Sequence, residues 1–147
     1  MRRLAILLAV MGLAATGPAL AADDGATISK RCAACHLANG AGVPGAFPPL
    51  KSDVRSLATT AAGRRYLALV VIRGVSGPIT VEGKAYRGMM PAQGALNDAQ
   101  VAAVLNHVVR SGSAKPFTPR EIAGYRAGSA GLNSAAVGRL QPKVGSK

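Results

Sequence analysis

Large aromatic side chains are scarce in this chain: it has no tryptophan, and aromatics make up only 3% of its 147 residues. Its hydrophobic fraction is nevertheless 49%, and alanine, valine and leucine supply most of it. Small apolar side chains of this kind favour helices that pack closely together. The length is sufficient for one domain of ordinary size and not comfortably for two, so we expect a single core.

Acidic residues are also few. The chain has 6 Asp and Glu against 18 Lys and Arg, which gives a formal net charge of +12. Charged residues amount to 16%, below the roughly 25% of an average globular protein, and periodic apolar segments accompany them. This composition excludes a wholly disordered polyelectrolyte. A field of positive sign attracts acidic partners.

Apolar segments long enough to span a membrane are lacking too. The N-terminal apolar run, residues 4–15, has twelve residues, whereas a spanning helix needs ~20. It follows Arg2 and Arg3 and precedes Ala-Leu-Ala at residues 19–21, which is the pattern of a cleavable signal peptide. We therefore predict that residues 1–21 are a signal peptide, that the mature protein is periplasmic with no membrane span, and that its charge falls from +12 to +10. Export argues against nucleic acid as the partner.

The chain has only two cysteines, Cys32 and Cys35, and His36 follows them directly. A disulfide between the two is sterically possible, and export would favour it. A thioredoxin-like redox pair would need a surrounding βαβ pattern, whereas the flanking sequence is typical of a helix. A zinc site would need four ligands at workable spacing, and the only other histidine, His107, is far along the chain.

The order Cys-x-x-Cys-His is the attachment signature of c-type haem. On one helical turn, the two thiols can each form a thioether to a haem vinyl group, and the adjacent imidazole can reach the iron. The motif therefore predicts one covalently bound haem c, with Cys32 and Cys35 as thioether residues and His36 as an axial ligand. Since the motif occurs once, we expect one haem.

A second axial ligand is available in Gly88-Met89-Met90-Pro91. The methionine thioether is a soft ligand, and Met opposite His raises the potential of electron-carrying haems. Methionines between a glycine and a proline are poorly placed to fill a core, although ordinary packing is the alternative for each of them.

His107 is the other possible iron ligand, in a bis-histidine haem. It lies beside the apolar stripe of its predicted helix and not on it. We therefore interpret His107 as a partly exposed structural histidine. The stripe consists of Val101, Val104, Leu105 and Val108.

With these motifs the chain resembles the class I cytochrome c family, small monohaem electron carriers with His/Met ligation, over about residues 24–112. Beyond the haem motif, the resemblance rests on the first-helix spacing and on a Pro-x-Leu and a Gly-x-Met-Pro motif. The matching residues are Gly25, Ile28 and Cys32, then Pro48-Pro49-Leu50, then Gly88-Met89-Met90-Pro91. Residues 74–91 look most like monohaem domains that serve periplasmic dehydrogenases or copper nitrite reductases.

The resemblance implies roles for two further residues. The methionine of Gly-x-Met-Pro is Met90, so the second axial ligand is expected to be Met90 and not Met89. The carbonyl of Pro48 is expected to accept a hydrogen bond from His36, a contact that orients the imidazole ring and sets its tautomer.

We expect an all-α cytochrome c fold over residues 22–112, with about three main helices around one haem. The first helix spans about 24–36 and the second runs from a cap at Thr59 or Thr60 to about 73. The third begins at Asn97, where Gln100 completes a capping-box pattern ahead of an apolar face with helical periodicity. Between the second and third helices, residues 78–91 form a short extended or hairpin excursion.

After residue 112 the composition changes. Thr118, Pro119 and Glu121 have the order of a helix start, so a C-terminal extension over 113–127 contains a short predicted helix at 119–127. Residues 128–147 are rich in Gly, Ser, Ala and Lys, which predicts a disordered tail.

No catalytic constellation remains once Cys32, Cys35 and His36 are assigned to haem, so the chain is predicted to be an electron carrier and not an enzyme. Its expected partners are acidic redox proteins such as a dehydrogenase, reductase or oxidase. The basic residues beside the motifs favour a docking rim; they are Lys30, Arg31, Lys84 and Arg87. The alternatives are an electron-transfer subunit of a dehydrogenase or reductase complex and a haem-based ligand sensor.

Overall fold

The computed structural model describes residues 24–144, so the predicted signal peptide, residues 1–21, lies outside the described residues. The described part has six helices: α1 (Gly25–His36), α2 (Ser52–Leu57), α3 (Ala61–Arg73), α4 (Asp98–Val109), α5 (Pro119–Ala127) and α6 (Ser134–Arg139). Its four short strands are β1 (Val75–Ser76), β2 (Ile79–Val81), β3 (Lys84–Tyr86) and β4 (Met89–Met90). No helix within residues 24–144 has the length and apolar character to span a bilayer.

The predicted helix starts are confirmed by their caps. Thr60 Oγ1 accepts a hydrogen bond from the Gly63 amide at the start of α3. Asn97 and Gln100 form a reciprocal capping box at α4. Each cap satisfies backbone amides that have no partner inside the helix, so these starts are set by residues within one turn.

Three helices form the main frame, as expected for the all-α class: α1, α3 and α4, with 12, 13 and 12 residues. Helices α1 and α4 cross at Gly25, which lies directly on the backbone of Ala103. The core between the helices is mainly aliphatic, with Ile28, Leu69 and Val101 each no more than 5% exposed, and the rings of Tyr66 and Phe117 are buried in it. The expectation of closely packed helices with few rings is confirmed.

The predicted excursion between α3 and α4 consists of two antiparallel pairs. Strand β2 pairs with β3 as a hairpin, with Ile79 opposite Tyr86. Strand β1 pairs with β4, which places Val75 opposite Met90 and Ser76 opposite Met89. The excursion thus brings the methionines back to the end of α3.

Helix α5 has the bounds that the sequence predicts, Pro119–Ala127, with Thr118 as its cap. Arg64 of α3 anchors it: the guanidinium donates from Nε and Nη2 to the two carboxylate oxygens of Glu121, each at 2.7 Å. The same guanidinium lies 3.9 Å above the ring of Phe117. A bidentate ion pair and a cation–π contact thus help to dock the extension on the domain, and Arg126 of α5 adds a second ion pair with Asp98 of α4.

Loss of this ion pair is expected to make the fold less stable and less sensitive to acid. The hydrogen bond from Arg64 holds the pKa of Glu121 below its ordinary value, so the pair contributes stability above the unfolded pKa of about 4.3 and loses it as the pH falls through the lower folded value. Glu121→Gln should cost about 1 kcal/mol at pH 7, since solvent partly screens the pair.

Denaturant unfolding of the wild type and of Glu121→Gln, at pH values between 7 and 3, measures this loss of stability. The stability difference should shrink on acidification. Asp24→Asn is the matched control, because Asp24 is an exposed helix cap that asparagine replaces at little cost. If the stability of Glu121→Gln fell on acidification as steeply as that of the wild type, the stabilising role of the Arg64–Glu121 ion pair would be contradicted.

The prediction of a disordered tail is wrong for residues 128–144. Helix α6 begins after Asn133, whose side chain accepts from the Ala136 amide, and Val137 is completely buried. The segment is poor in apolar residues, but the few that it has pack on the domain; Leu132 and Val144 also contact the core. Composition predicted disorder because it gives no information on whether the rest of the domain offers a surface on which these side chains can pack. Residues 145–147 lie outside the described residues.

Candidate functional site

An apolar cleft runs between α1, the loop at 46–50, α3, α4 and the strands. Aliphatic side chains form much of its walls, including Ile28, Leu67, Val71, Leu96, Val104 and Leu105. All five site residues predicted from the sequence lie on these walls: Cys32, Cys35, His36, Pro48 and Met90. The fold therefore brings together residues that are up to 58 positions apart.

His36 ends α1 and is buried, with 7% of its surface exposed. Its Nδ1 lies 2.8 Å from the carbonyl oxygen of Pro48. A carbonyl only accepts hydrogen bonds, so Nδ1 carries the proton and donates it. In the neutral imidazole with its proton on Nδ1, Nε2 has the lone pair that binds a metal.

The loop that carries Pro48 is closed by its own backbone. The Gly42 amide donates to the carbonyl of His36 at 2.9 Å, and the Leu50 amide donates to the carbonyl of Gly40 at 2.9 Å. Val43 and Phe47 form an isolated antiparallel bridge within the loop. These bonds hold the Pro48 carbonyl in place beside the imidazole.

Cys32 and Cys35 are half-buried free thiols, three residues apart on α1 and so on the same side of the helix. Burial raises the pKa of the Cys32 thiol above its ordinary value. Redox-active cysteine pairs have thiols with a lowered pKa and a βαβ setting, whereas the strand pairs within residues 24–144 are antiparallel. The structure thus disfavours a thioredoxin-like pair.

A zinc site is also disfavoured. In the part of the chain that the structure describes, no three His, Cys, Asp or Glu side chains are grouped so that they could hold a metal ion. The soft donors on the apolar cleft are instead two thiols and two methionine thioethers, together with the imidazole of His36. Such a set of side chains suits a metal ion that is already held in a flat, apolar macrocycle.

Met89 and Met90 are adjacent on β4, and both touch the apolar cleft. Met89 is 68% exposed, whereas Met90 is half-buried and packs against the hydrophobic core. Successive side chains of a strand point to opposite faces, which accounts for the difference. The inward position of Met90 favours it as the ligand.

His107 is partly exposed, as interpreted from the sequence. It lines a separate polar cleft behind α1, where its Nε2 lies 3.0 Å from Nη1 of Arg110. It is not among the residues on the apolar cleft. This placement argues against a bis-histidine site.

Tyr66 and Gln141 are among the residues on the apolar cleft that were not expected there from the sequence. Tyr66 of α3 is 4% exposed, and burial raises its pKa to about 12, so it is neutral under ordinary conditions. Tyr66 and Val70 are four residues apart and so lie on one face of α3. This spacing could have indicated that Tyr66 lies on the cleft. Gln141, which follows α6, also lines the apolar cleft, and nothing in the predicted disordered tail pointed to it.

The donor set and the apolar walls define a haem-binding electron-transfer protein, and the sequence comparisons agree. Residues 22–111, more than half of the chain, match the family model described as Cytochrome c. The chain belongs to the class I monohaem cytochrome c family and binds one covalently attached haem c.

Two relatives are similar over most of their length. One cytochrome c-552 of Thermus thermophilus is 46% identical over 118 residues, which cover 76% of this chain and 80% of the relative. A second cytochrome c-552 of Thermus thermophilus is 45% identical over 111 residues, covering 71% of this chain and 85% of the relative. The likeness in both cases supports a monohaem c-type cytochrome that carries electrons.

Proposed function

We propose that the protein is an exported one-electron carrier in which Cys32 and Cys35 form the haem thioethers and His36 and Met90 are the axial ligands. The observation that carries this proposal is the convergence of these four side chains on one apolar cleft. The Cys-x-x-Cys-His order supports the attachment. The hydrogen bond between His36 and Pro48 supports the role of Nε2 as a ligand.

The bound haem supplies an iron that alternates between the ferrous and ferric states, one electron at a time. The chain contributes the surroundings of that iron. The aliphatic walls exclude water, and Pro48 keeps the His36 ring in one orientation. If His36 and Met90 both bind the iron, they would leave no position open for oxygen or peroxide, and the protein would carry electrons without acting on a bound substrate.

We also propose the periplasm as its location. The supporting feature is the signal-peptide pattern of residues 1–21, which is typical of exported proteins. No helix in residues 24–144 is suited to spanning a bilayer.

Acidic redox proteins are the proposed partners, and a basic rim is the surface that would meet them. We define the basic rim as four exposed cations: Lys30 and Arg31 on α1, Lys84 at the start of β3 and Arg87 directly after β3. Two of the acids are compensated elsewhere: Glu121 pairs with Arg64, and Asp98 pairs with Arg126. The net charge of +10 expected for the mature chain attracts an acidic surface.

The electron-transfer rate should therefore fall as salt is added. Ferricyanide, an anionic one-electron oxidant, serves as the probe. Its second-order rate constant with the reduced protein should drop about tenfold or more as ionic strength rises and the Debye length shrinks below ~10 Å. Stopped-flow mixing measures this directly.

Charge reversal locates the effect. Lys84→Glu with Arg87→Glu should slow the reaction more than Lys115→Glu with Arg120→Glu, a matched pair of exposed cations on the C-terminal extension. Equal slowing by the two pairs would show that only the net charge matters. A rate that does not respond to salt would mean that the charge serves solubility alone.

A further inference from the structure

The backbone of Met90 depends on β1 for its position. Val75 of β1 is opposite Met90 in the antiparallel pair. Gly74, at φ 73°, lies so close that a Cβ on it would be 2.5 Å from the carbonyl oxygen of Met90. Only glycine permits this conformation and this approach without strain. A displacement of β1 would therefore displace the Met90 strand as well.

This pair of strands cannot hold itself in place. Each of β1 and β4 has two residues, and an isolated two-stranded ladder is marginally stable even when it is longer. An external support is required if Met90 is to stay in one position. The region matched by the family model ends at residue 111, so any support from helix α6 or the residues after it lies beyond that region.

Helix α6 packs directly on β1. Ser134 Oγ lies 2.9 Å from Ser76 Oγ in a hydrogen bond. Gly138 lies against the carbonyl of Ser76 with no room for a Cβ, and the neighbouring Val137 is completely buried. The close approach requires glycine, so the contact between the two elements is specific in shape.

Gln141 clasps the neighbouring hairpin. Its side-chain nitrogen donates to the carbonyl of Thr80 at 2.7 Å, and its side-chain oxygen accepts from the Thr80 amide at 2.9 Å. Both polar groups of one peptide residue are thus bound by one side chain. Gln141 also lines the apolar cleft, so the end of the chain reaches the strand wall beside the proposed haem.

We propose that residues 134–141, the C-terminal clasp, are a positioning element for the axial methionine. The clasp holds β1 through Ser134 and Gly138 and holds β2 through Gln141, and β1 in turn holds β4 with Met90. This inference rests on the proposed ligation by Met90. If the clasp were loosened, β1 and β4 would hold Met90 less firmly, and an external ligand would reach the proposed site more readily.

The test uses the ferric holoprotein and imidazole as the competing ligand. Gln141→Ala should accelerate imidazole binding about fivefold, the change that corresponds to about 1 kcal/mol, and should weaken the methionine-to-iron charge-transfer band. Gly138→Ala should have a larger effect in the same direction. Gln141→Ala removes one partly exposed side chain, so it keeps the test decisive if Gly138→Ala fails to fold.

Two controls separate positioning from general stability. Arg139→Ala alters an exposed side chain on the same helix and should leave the rate unchanged. Thr118→Ala removes the cap of α5 and should destabilise the extension without touching β1 or β2. Faster imidazole binding in Gln141→Ala than in Thr118→Ala, at matched loss of unfolding free energy, supports the clasp.

The two possible failures are distinguishable. Equal rates in Gln141→Ala and Thr118→Ala, with a wild-type spectrum that contains the charge-transfer band, would overturn the clasp and leave the ligand assignment intact. A wild-type spectrum without that band would overturn the ligation by Met90 and the clasp together.

Discussion

Replacing Cys32 and Cys35 together by alanine is expected to abolish covalent haem attachment completely. Both thiols are on one turn of α1 and on the wall of the apolar cleft, and no other cysteine exists in the chain. The wild type should keep its haem through acid-acetone extraction and denaturing electrophoresis, because thioethers are covalent bonds. The double variant should retain none under either treatment.

Single replacements provide the matched controls. Cys32→Ala and Cys35→Ala each leave one thiol, so each should hold haem through one thioether and show haem staining on a denaturing gel. Extractable haem in the wild type would contradict covalent attachment by these residues. Staining that persisted in the double variant would require another attachment residue.

The double variant should also be much less stable. Haem is expected to fill the apolar cleft, whose aliphatic walls have few aromatic side chains to close the space. An unfilled apolar cavity costs about 24 cal/mol per Å³, whereas the whole stability of a domain is only about 5–15 kcal/mol. Calorimetry of the double variant should therefore show a strongly lowered or absent unfolding transition.

Met90→Ala is expected to change the haem spectrum and potential without releasing the haem. The methionine-to-iron charge-transfer band should disappear, and the reduced protein should bind carbon monoxide. The reduction potential should fall by a substantial part of the roughly 0.8 V range over which axial ligands set haem potentials, because water or another ligand replaces the soft sulfur. Spectroelectrochemistry measures both effects in one sample.

Met89→Ala is the control, one residue away on the same strand. Its side chain is 68% exposed, whereas that of Met90 packs against the core, so Met89→Ala should leave the band and the potential nearly unchanged. The opposite result would make Met89 the ligand and shift the register of the Gly-x-Met-Pro motif by one. Carbon monoxide binding by the wild type would favour the ligand-sensor alternative.

Local chemistry accounts for what the sequence alone predicted. Thr60, Asn97 and Thr118 each cap a helix through a bond to an amide three residues away, so no distant residue affects these starts. The haem motif is equally local, since its five residues lie on one stretch of α1. Helix α2 was missed because it has six residues and no side-chain cap.

The choice between the two methionines depended on strand pairing. Their sequence neighbourhood is nearly the same, and a motif resemblance was needed to prefer Met90. In the structure, the pairing with Val75 places Met90 on the core side and Met89 on the solvent side. The alternation of side chains along a strand follows from the local backbone. Which face of the strand is buried depends on the element that packs against that face.

The fold of the C-terminal tail could not be predicted from the sequence. Composition, charge and short motifs were sufficient to determine the helical class and the covalent haem and to predict His36 as a ligand and the export of the protein, since each depends on residues close together in the chain. Only the tertiary structure decided that residues 128–144 fold onto the strands. The bonds from Gln141 to Thr80 span 61 residues, and a glutamine gains such partners only where folding has already placed an unpaired peptide group within reach.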